Sequence, residues 1–324
     1  MKRCPECGQY SEDDASFCPR CGCILPDRQD VPDQVVYAPV CKPKRNGPSV
    51  GTVVAVVAVV AILLAVSISF LDIFDASSEY KDKTRTYSWT VPSIDDSPTF
   101  SVSLDISGEE MRKADTSTID RSGSSTNVSN PSQGIHAVRE YVVVSDTIIS
   151  LSSKLWDEYK TQIVEKPGYA AYANARYFAD YILAFVQEAA DYAYDSREFG
   201  QEEYWQYPVE TLYRGYGDCE DTSILASAIY SHLSTMDGAK DWILGASVLL
   251  LPGHAMVGVD VYGGLTGMGL YKIAVGSSEH YVGETTIDDP GSYTKISWWH
   301  VGKLNDMYQG SSILAFQGTS SSYA

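Results

Sequence analysis

The segment from residue 207 to residue 226 carries Cys219 and reads Tyr207-Pro-Val-Glu-Thr-Leu-Tyr-Arg-Gly-Tyr-Gly-Asp-Cys-Glu-Asp-Thr-Ser-Ile-Leu-Ala226. Asp218 is a favourable N-cap residue, and Asp221, three positions later, can complete an acidic version of the capping box. Apolar residues then recur at helical spacing, namely Ile224, Leu225, Ala228, Ile229 and Leu233. This pattern predicts a buried helix over residues 219–233, with the thiol of Cys219 in its first turn.

The first turn of a helix favours a thiolate, because the helix dipole and the unpaired N–H groups stabilise negative charge. Asp218, Glu220 and Asp221 have the opposite effect, since nearby carboxylates raise the pKa of a thiol. Cys219 therefore needs a cationic partner to act as a nucleophile. The alternative interpretation is a buried, unreactive side chain, because free cysteines are among the most buried residue types.

A partner for Cys219 is available downstream. Residues 243–251 predict a buried strand, Pro252-Gly253 predicts a turn, and residues 254–262 predict a second strand with His254 at its start. A cysteine at a helix N-terminus that faces a histidine on a strand is typical of papain-like thiol catalysis. In that chemistry the imidazole first takes the thiol proton and later donates a proton to the leaving group. A purely structural histidine is the alternative.

Four motifs allow a comparison with known families, namely Pro208 to Leu212, Gly217-Asp-Cys-Glu-Asp221, Gly253-His-Ala-Met-Val257 and Phe185-Val-Gln187. Together they resemble the transglutaminase-like superfamily of cysteine enzymes, over roughly residues 145–301. The resemblance implies an α+β fold with a papain-like, transglutaminase-like core, in which the cysteine-bearing helix packs on an antiparallel sheet. It also implies hydrolysis of, or acyl transfer from, amide bonds of peptides or proteins.

The resemblance further implies an acidic residue that orients the histidine from the following strand. Glu284, in Tyr281-Val-Gly-Glu-Thr-Thr286, is the predicted residue, and Asp288 is the fallback. Asp260 is a poor candidate, because it lies about 20 Å along the strand from His254. An oxyanion would be stabilised by the backbone N–H of Cys219 and by a side chain such as Gln187 or Trp205.

The N-terminal segment predicts a zinc site. Cys4-Pro-Glu-Cys7 and Cys18-Pro-Arg-Cys21 are two C-x-x-C pairs separated by ten residues, a spacing that suits one tetrahedral structural zinc ion. Residues 1–26 resemble a short zinc ribbon, which is too small for a core and would obtain its folding energy from the metal. A redox pair and disulfides are the alternatives. Cys23 and Cys41 are not expected to bind the ion.

Residues 49–71 predict a single transmembrane helix. No charged residue occurs from Gly51 to Leu71, and these 21 residues would span about 31 Å, close to the hydrocarbon thickness of a bilayer. Lys42, Lys44 and Arg45 precede the segment, so the positive-inside rule places the N-terminus in the cytoplasm and the C-terminal part outside. A cleaved signal peptide and a buried globular helix are the alternatives.

The net negative charge of the chain is carried by the residues after the linker. The chain has a formal net charge of −18, and residues 1–48 hold seven basic and seven acidic residues, so residues 49–324 carry 17 basic and 35 acidic ones. This acidity argues against a nucleic-acid partner. Cys219 is the one cysteine of the seven after residue 48, so it cannot form a disulfide within the outer part.

The domain organisation follows from these segments. We expect a zinc ribbon (1–26), a flexible linker (27–48), the transmembrane helix (49–71), a β-rich lead-in (72–144), a transglutaminase-like domain (145–304) and a C-terminal tail (305–324). Within them we predict strands near residues 84–91, 100–106, 138–144, 270–275, 280–285 and 295–301, and helices over residues 146–159 and 167–194.

The sequence thus predicts a membrane-anchored, extracytoplasmic cysteine enzyme with Cys219, His254 and Glu284 as its triad and a structural Zn²⁺ on Cys4, Cys7, Cys18 and Cys21. Its expected partners are the membrane, a peptide or protein substrate outside the cell, and a cytoplasmic protein at the zinc ribbon. The competing interpretation is a non-catalytic binding or sensor module that keeps the same fold and is coupled to the zinc ribbon.

Overall fold

The computed structural model describes residues 2–3, 10–11, 80–122, 138–267, 269–286 and 300–323, and the chain divides into two compact units, Met1–Phe70 and Leu71–Ala324. In the first unit, β1 (Lys2–Arg3) pairs antiparallel with β2 (Tyr10–Ser11). The four cysteines predicted to bind zinc, the linker and the predicted membrane helix lie outside the described residues. Within the ranges given above, no helix is both long enough and apolar enough to cross a membrane.

The second unit begins with a hairpin of β3 (Lys83–Trp89) and β4 (Phe100–Ile106), followed by α1 (Gly108–Asp115). Alternate residues of β4 are buried, as the period of two in its sequence requires. Trp89 on β3 packs against Tyr181 and Phe185, with ring centroids 5.3 and 5.1 Å away. The hairpin therefore covers the helical layer of the core.

The middle of the chain is helical. It contains α2 (Asp146–Tyr159), a π-helical turn (Lys160–Val164), a 3-10 helix (Pro167–Tyr172), α3 (Ala175–Ala189), α4 (Asp195–Glu198), α5 (Pro208–Arg214) and α6 (Cys219–Leu233). The two-residue strands β5 (Asp191–Tyr192) and β6 (Tyr216–Gly217) pair in parallel between these helices.

The C-terminal part forms a five-stranded sheet. Its strands are β7 (Ile243–Leu251), β8 (His254–Val261), β9 (Lys272–Val275), β10 (Ser278–Gly283) and β11 (Leu314–Gln317), in the order β11-β7-β8-β10-β9 with antiparallel neighbours. Helix α6 packs on β7 and β8. The predicted α+β class is confirmed by this helical layer against an antiparallel sheet.

Both faces of the sheet are covered, which explains why β7 is apolar along nearly its whole length. Val248 and Leu250 join the main core beneath the helices. Leu249 and Leu251 point to the opposite face, where they pack in a smaller cluster with Met256, Val282 and Leu304. The site described below lies where β7 and β8 meet the N-terminal end of α6.

The helix predicted over residues 167–194 and the strand predicted over residues 138–144 differ from the structure. The helix predicted over residues 167–194 is divided, because Asn174 caps a new helix by accepting a hydrogen bond from the backbone N–H of Tyr177 at 3.5 Å. The chain then leaves α3 at Ala190 to form β5. Residues 138–141, predicted as part of a strand, are helical, since a short apolar run does not by itself distinguish a strand from a buried helical turn.

Residues 305–323, nearly all of the segment predicted to be a C-terminal tail, include residues of the core of the second unit. Asp306–Tyr308 forms a 3-10 helix and β11 adds an edge strand beside β7. Phe316 is buried, and Tyr323 packs edge-on against Tyr207 with ring centroids 5.0 Å apart. Burying a phenylalanine of this kind stabilises a fold by about 1.5–3 kcal/mol, so removing this segment would destabilise the second unit.

Candidate active site

Cys219 is positioned by a short, tightly turned connection between α5 and α6. Gly215 ends α5 with φ of 80°, a left-handed conformation that suits glycine. A Cβ atom on Gly217 would lie 2.8 Å from the side chain of Asp221, so the loop can approach α6 closely only with glycine there. Asp218 then forms the predicted capping box with Asp221. Cys219 follows as the first residue of α6, with a free, half-buried thiol.

His254 reaches the same place from the sheet. The hairpin that joins β7 to β8 pairs Leu251 with His254, so the histidine is the first residue of β8, as predicted. Cys219 and His254 both line a cavity of about 450 Å³. The other residues that line this cavity are Ser122, Tyr192, Tyr194, Asp195, Ser196, Glu202, Glu203, Trp205, Asp218, Glu220, Leu250, Leu251, Gly253 and Ala255.

Glu284 directly follows β10 and contacts the imidazole of His254. Its Oε2 lies 2.8 Å from Nε2 of His254, and the carboxylate side chain is only 6% exposed. Its other oxygen, Oε1, accepts hydrogen bonds from the backbone N–H and the hydroxyl of Thr286, at 3.1 and 2.9 Å. Both oxygens of the carboxylate are thus held by specific partners, which fixes its orientation toward His254.

The segment that carries Glu284 is also tied to the helix that carries Cys219. The hydroxyl of Thr285 lies 2.9 Å from that of Thr222 and 3.1 Å from that of Ser223, both on α6. The amide nitrogen of Gln187 donates to the backbone carbonyl of Glu284 at 2.7 Å. Residues 284–286 are therefore anchored to α6 and α3 as well as to the neighbouring strand.

The face of the His254 ring is covered by Tyr308. The two rings are stacked, with centroids 4.8 Å apart and planes 8° from parallel. Tyr308 belongs to the 3-10 helix near the C-terminus, and no sequence motif predicts its position at the site. The imidazole is thus held at its edge by Glu284 and on its face by an aromatic ring.

The environment of the Cys219 thiol favours its neutral form. The Sγ–H group donates to Oε2 of Glu220 at 3.4 Å. Burial, followed by the carboxylates of Glu220 and Asp218, raises the pKa of the Cys219 thiol well above its ordinary value, and a hydrogen bond from the backbone N–H of Ala255 acts in the opposite direction. The contact with Ala255 joins the start of α6 directly to the strand of His254.

A group of carboxylates surrounds the start of α6. Oxygens of Asp195, Asp218 and Asp221 lie within 4.8 Å of one another, and so do oxygens of Asp195, Glu220 and the exposed Glu203. Burial and then Glu220 raise the pKa of Asp218 to about 11, and burial and then Asp221 raise the pKa of Glu220 to about 8. Burial raises the pKa of Asp195 to about 6. Only the three acids beside Cys219 in the sequence are apparent without the structure.

The remaining predicted site residues have different positions. Gln187 does not line the Cys219 cavity, and its bond to Glu284 gives it a structural contact there rather than an oxyanion contact. Trp205 does line the cavity, so it remains a candidate oxyanion donor. Asp260 lies toward the far end of β8 from His254. Asp288 and residues 295–299 of the strand predicted near residues 295–301 fall in ranges that the structure does not describe, and residues 300–301 are not in a strand.

Comparisons with known proteins add no assignment, since neither the family models nor the curated protein sequences gave a match.

Proposed function

We propose that the second unit is a transglutaminase-like cysteine enzyme that acts on amide bonds of peptides or proteins through Cys219, His254 and Glu284. The observation that carries the proposal is the 2.8 Å contact between His254 and a buried Glu284, on the wall of a cavity that also contains the Cys219 thiol. A thiol, a base and a group that orients the base are the three parts that nucleophilic catalysis of this kind requires.

The roles of the two ring nitrogens follow from the contact with Glu284. A carboxylate at Nε2 favours the tautomer in which Nε2 carries the proton. Nδ1 is then the nitrogen that can accept the proton of Cys219. Glu284 would also stabilise the imidazolium that forms, which offsets part of the unfavourable effect of the surrounding acids on the thiolate.

The proposed reaction proceeds through a thioester. Sγ of Cys219 bonds to the carbonyl carbon of an amide while the thiol proton passes to His254. The C–N bond then breaks and the proton moves from His254 to the leaving amine. Water, or a second amine, attacks the thioester carbon and gives its proton to His254. The C–S bond breaks, and the proton returns to Cys219. Water as the attacking group gives hydrolysis, and an amine gives acyl transfer.

From the sequence alone, we also propose where the protein is located and which metal ion it binds. Residues 49–71 anchor the chain in the cell membrane with residues 1–48 inside, and a Zn²⁺ ion on Cys4, Cys7, Cys18 and Cys21 folds the N-terminal segment. A cysteine introduced at Ser78 of a Cys219→Ser chain should react with an impermeant maleimide on intact cells, whereas one at Gln34 should not. The reverse labelling would contradict this orientation.

One observation favours a second candidate, a binding or sensor module without turnover. The thiol of Cys219 donates to Glu220, and its pKa is raised by burial and by the adjacent acids, so the neutral thiol is favoured. The two candidates differ in the reactivity of the thiol. The deciding experiment measures the rate of alkylation of Cys219 in the wild type and in His254→Ala.

A further inference from the structure

Part of the carboxylate cluster beside Cys219 is explained by helix capping, and part is not. Asp221 accepts hydrogen bonds from the backbone and the side chain of Gln206 and from the backbone N–H of Asp218. Its two oxygens are therefore fully used as structural acceptors. Asp218 caps α6 with one oxygen. Neither role accounts for Glu220, Asp195 or Glu203, which converge on one point from three parts of the chain.

The convergent side chains contain buried oxygens without a hydrogen-bond partner. Oε1 of Glu220 and Oδ1 of Asp195 are buried and unpartnered, and these two residues are only 5% and 3% exposed. The side chains of Asp218 and Glu220 are also joined by a hydrogen bond. Leaving Oδ1 of Asp195 and Oε1 of Glu220 without partners is unfavourable, and a ligand that contacts both would satisfy them.

Among the described residues, no cation is paired with the carboxylates of this cluster. Among the ion pairs of residues 80–122, 138–267, 269–286 and 300–323, none includes Asp195, Glu203, Asp218 or Glu220. Carboxylates that are buried together without a cation must otherwise take up protons. A bound metal ion would supply positive charge at the same place as the unpartnered oxygens.

The spacing of the oxygens fits a calcium ion. A carboxylate oxygen from each of Asp195, Glu203 and Glu220 lies within 4.8 Å of the other two. Oxygen ligands of Ca²⁺ lie about 2.3–2.6 Å from the ion, so any two of them are at most about 5 Å apart. Three carboxylates, water from the open cavity and the adjoining Asp218 provide the six to eight hard oxygen ligands that Ca²⁺ prefers.

We propose that Asp195, Glu203 and Glu220, with Asp218 adjoining, form a calcium-binding site on the wall of the Cys219 cavity. The site links α4, the loop before α5 and the first turn of α6, so the ion would hold together the three segments that form one side of the cavity. Binding of the ion is independent of the proposed acyl-transfer chemistry, because it requires neither His254 nor turnover.

The test uses the full chain, freed of metal with a chelator and titrated with Tb³⁺, which binds at calcium sites. Trp205 lines the same cavity and can sensitise terbium luminescence on excitation of the indole. We expect one saturable site per chain from which Ca²⁺ displaces the probe. The N-terminal cysteines do not interfere, since soft thiolates bind these hard ions poorly.

Two variants and a matched control decide the assignment. Glu220→Gln and Asp195→Asn keep the shape of each side chain and remove its charge, and each should weaken Ca²⁺ competition at least tenfold. Glu198→Gln, three residues from Asp195 on the same helix and paired with Arg197, should leave it unchanged. Circular dichroism and thermal unfolding establish that each variant is folded, and if one variant does not fold, the other decides.

Three outcomes overturn the proposal. The first is the absence of sensitised emission in the wild type, and the second is emission that Ca²⁺ does not displace. The third is an unchanged Ca²⁺ affinity in Glu220→Gln and Asp195→Asn chains that are folded. If neither variant folds, the wild type decides alone: Ca²⁺ should raise its thermal unfolding midpoint, and an unchanged midpoint at saturating Ca²⁺ contradicts the site.

Discussion

The imidazole Nε2 of His254 lies 2.8 Å from Oε2 of Glu284, although thirty positions separate the two residues in the sequence. The strand register brings them together. β10 pairs antiparallel with β8 so that Gly283 is opposite Val257, and Glu284 is the next residue along. Beyond β10 the chain therefore continues toward the start of β8, where His254 lies. The carboxylate could not reach the ring if the pairing slipped by a residue, because alternate side chains point to opposite faces.

The reactivity of Cys219 tests the proposed triad. Its pKa is raised by burial and by Glu220 and Asp218, so less thiolate is present at neutral pH. In the proposed triad, proton transfer to His254 would restore thiolate in the wild type. We expect His254→Ala to slow iodoacetamide alkylation at pH 7 by about tenfold or more, and the difference to narrow as the pH rises and hydroxide removes the thiol proton.

The alkylation rate is measured on the peptide that contains Cys219 by mass spectrometry, in buffer that contains calcium. Glu284→Gln should give an intermediate rate, because Gln can still accept from Nε2–H but does not stabilise imidazolium. Glu279→Gln, which changes an exposed acid on β10, the strand just before Glu284, and His232→Ala serve as matched controls that should behave as the wild type. Equal rates for wild type and His254→Ala across pH 6–10 would mean that the site is a binding module.

Tyr308 should act as a positioning residue for His254. Aromatic stacking contributes about 0.5–1.5 kcal/mol, so we expect Tyr308→Ala to lower the alkylation rate of Cys219 at pH 7 roughly two- to tenfold. Tyr308→Phe keeps the stacked ring and should restore the rate, which a purely structural loss would not explain. Tyr262→Ala, which removes an exposed ring at the far end of β8, is the control. Identical rates for Tyr308→Ala and Tyr308→Phe would show that the stack has no part in reactivity.

Two glycines of the sheet should differ sharply in their tolerance of a methyl group. A Cβ atom on Gly258 of β8 would lie 2.5 Å from Oγ of Ser247 and 3.1 Å from Leu249, so Gly258→Ala should destabilise the second unit by about 1–3 kcal/mol. A Cβ atom on Gly245 of β7 meets nothing closer than 3.5 Å. Gly245→Ala should therefore stay within about 0.5 kcal/mol of the wild type. Denaturant unfolding followed by tryptophan fluorescence measures both, and equal stabilities would contradict the packing of β7 against β8.

The zinc content of the purified chain tests the N-terminal prediction. One zinc ion per chain is expected from elemental analysis, because four thiolates at the C-x-x-C spacing complete a tetrahedral site. Cys4→Ser should remove most of the metal, since three thiolates hold zinc much more weakly. Cys23→Ser is the matched control within the same segment and should keep the full content. Unchanged zinc in Cys4→Ser would mean that Cys4 is not a ligand.

The elements that depend on local sequence were predictable. The helix predicted over residues 219–233 coincides with α6. Its capping box and its apolar periodicity each depend on residues only a few positions apart, so both signals can be detected in the local sequence. The position of His254 at the start of a strand also followed from the Pro-Gly turn before it. Residues 138–141 were not predictable in the same way, since burial of Val138 and Tyr141 selects the helical turn only in the folded unit.

The sequence by itself determined the α+β class, the placement of Cys219 in the first turn of a buried helix and the position of His254 at the start of a strand, because caps, turns and periodicity act over short distances. Glu284 was predicted from the resemblance of the motifs to a known family and not from a local signal. Only the tertiary structure decided that Tyr308 covers the imidazole and that Asp195 and Glu203 join Glu220 beside the thiol. These contacts connect segments that are far apart in the chain, and their geometry depends on how β10 and β11 pair within the sheet and how the loop before α5 packs against α6. Local propensity carries no information about such packing.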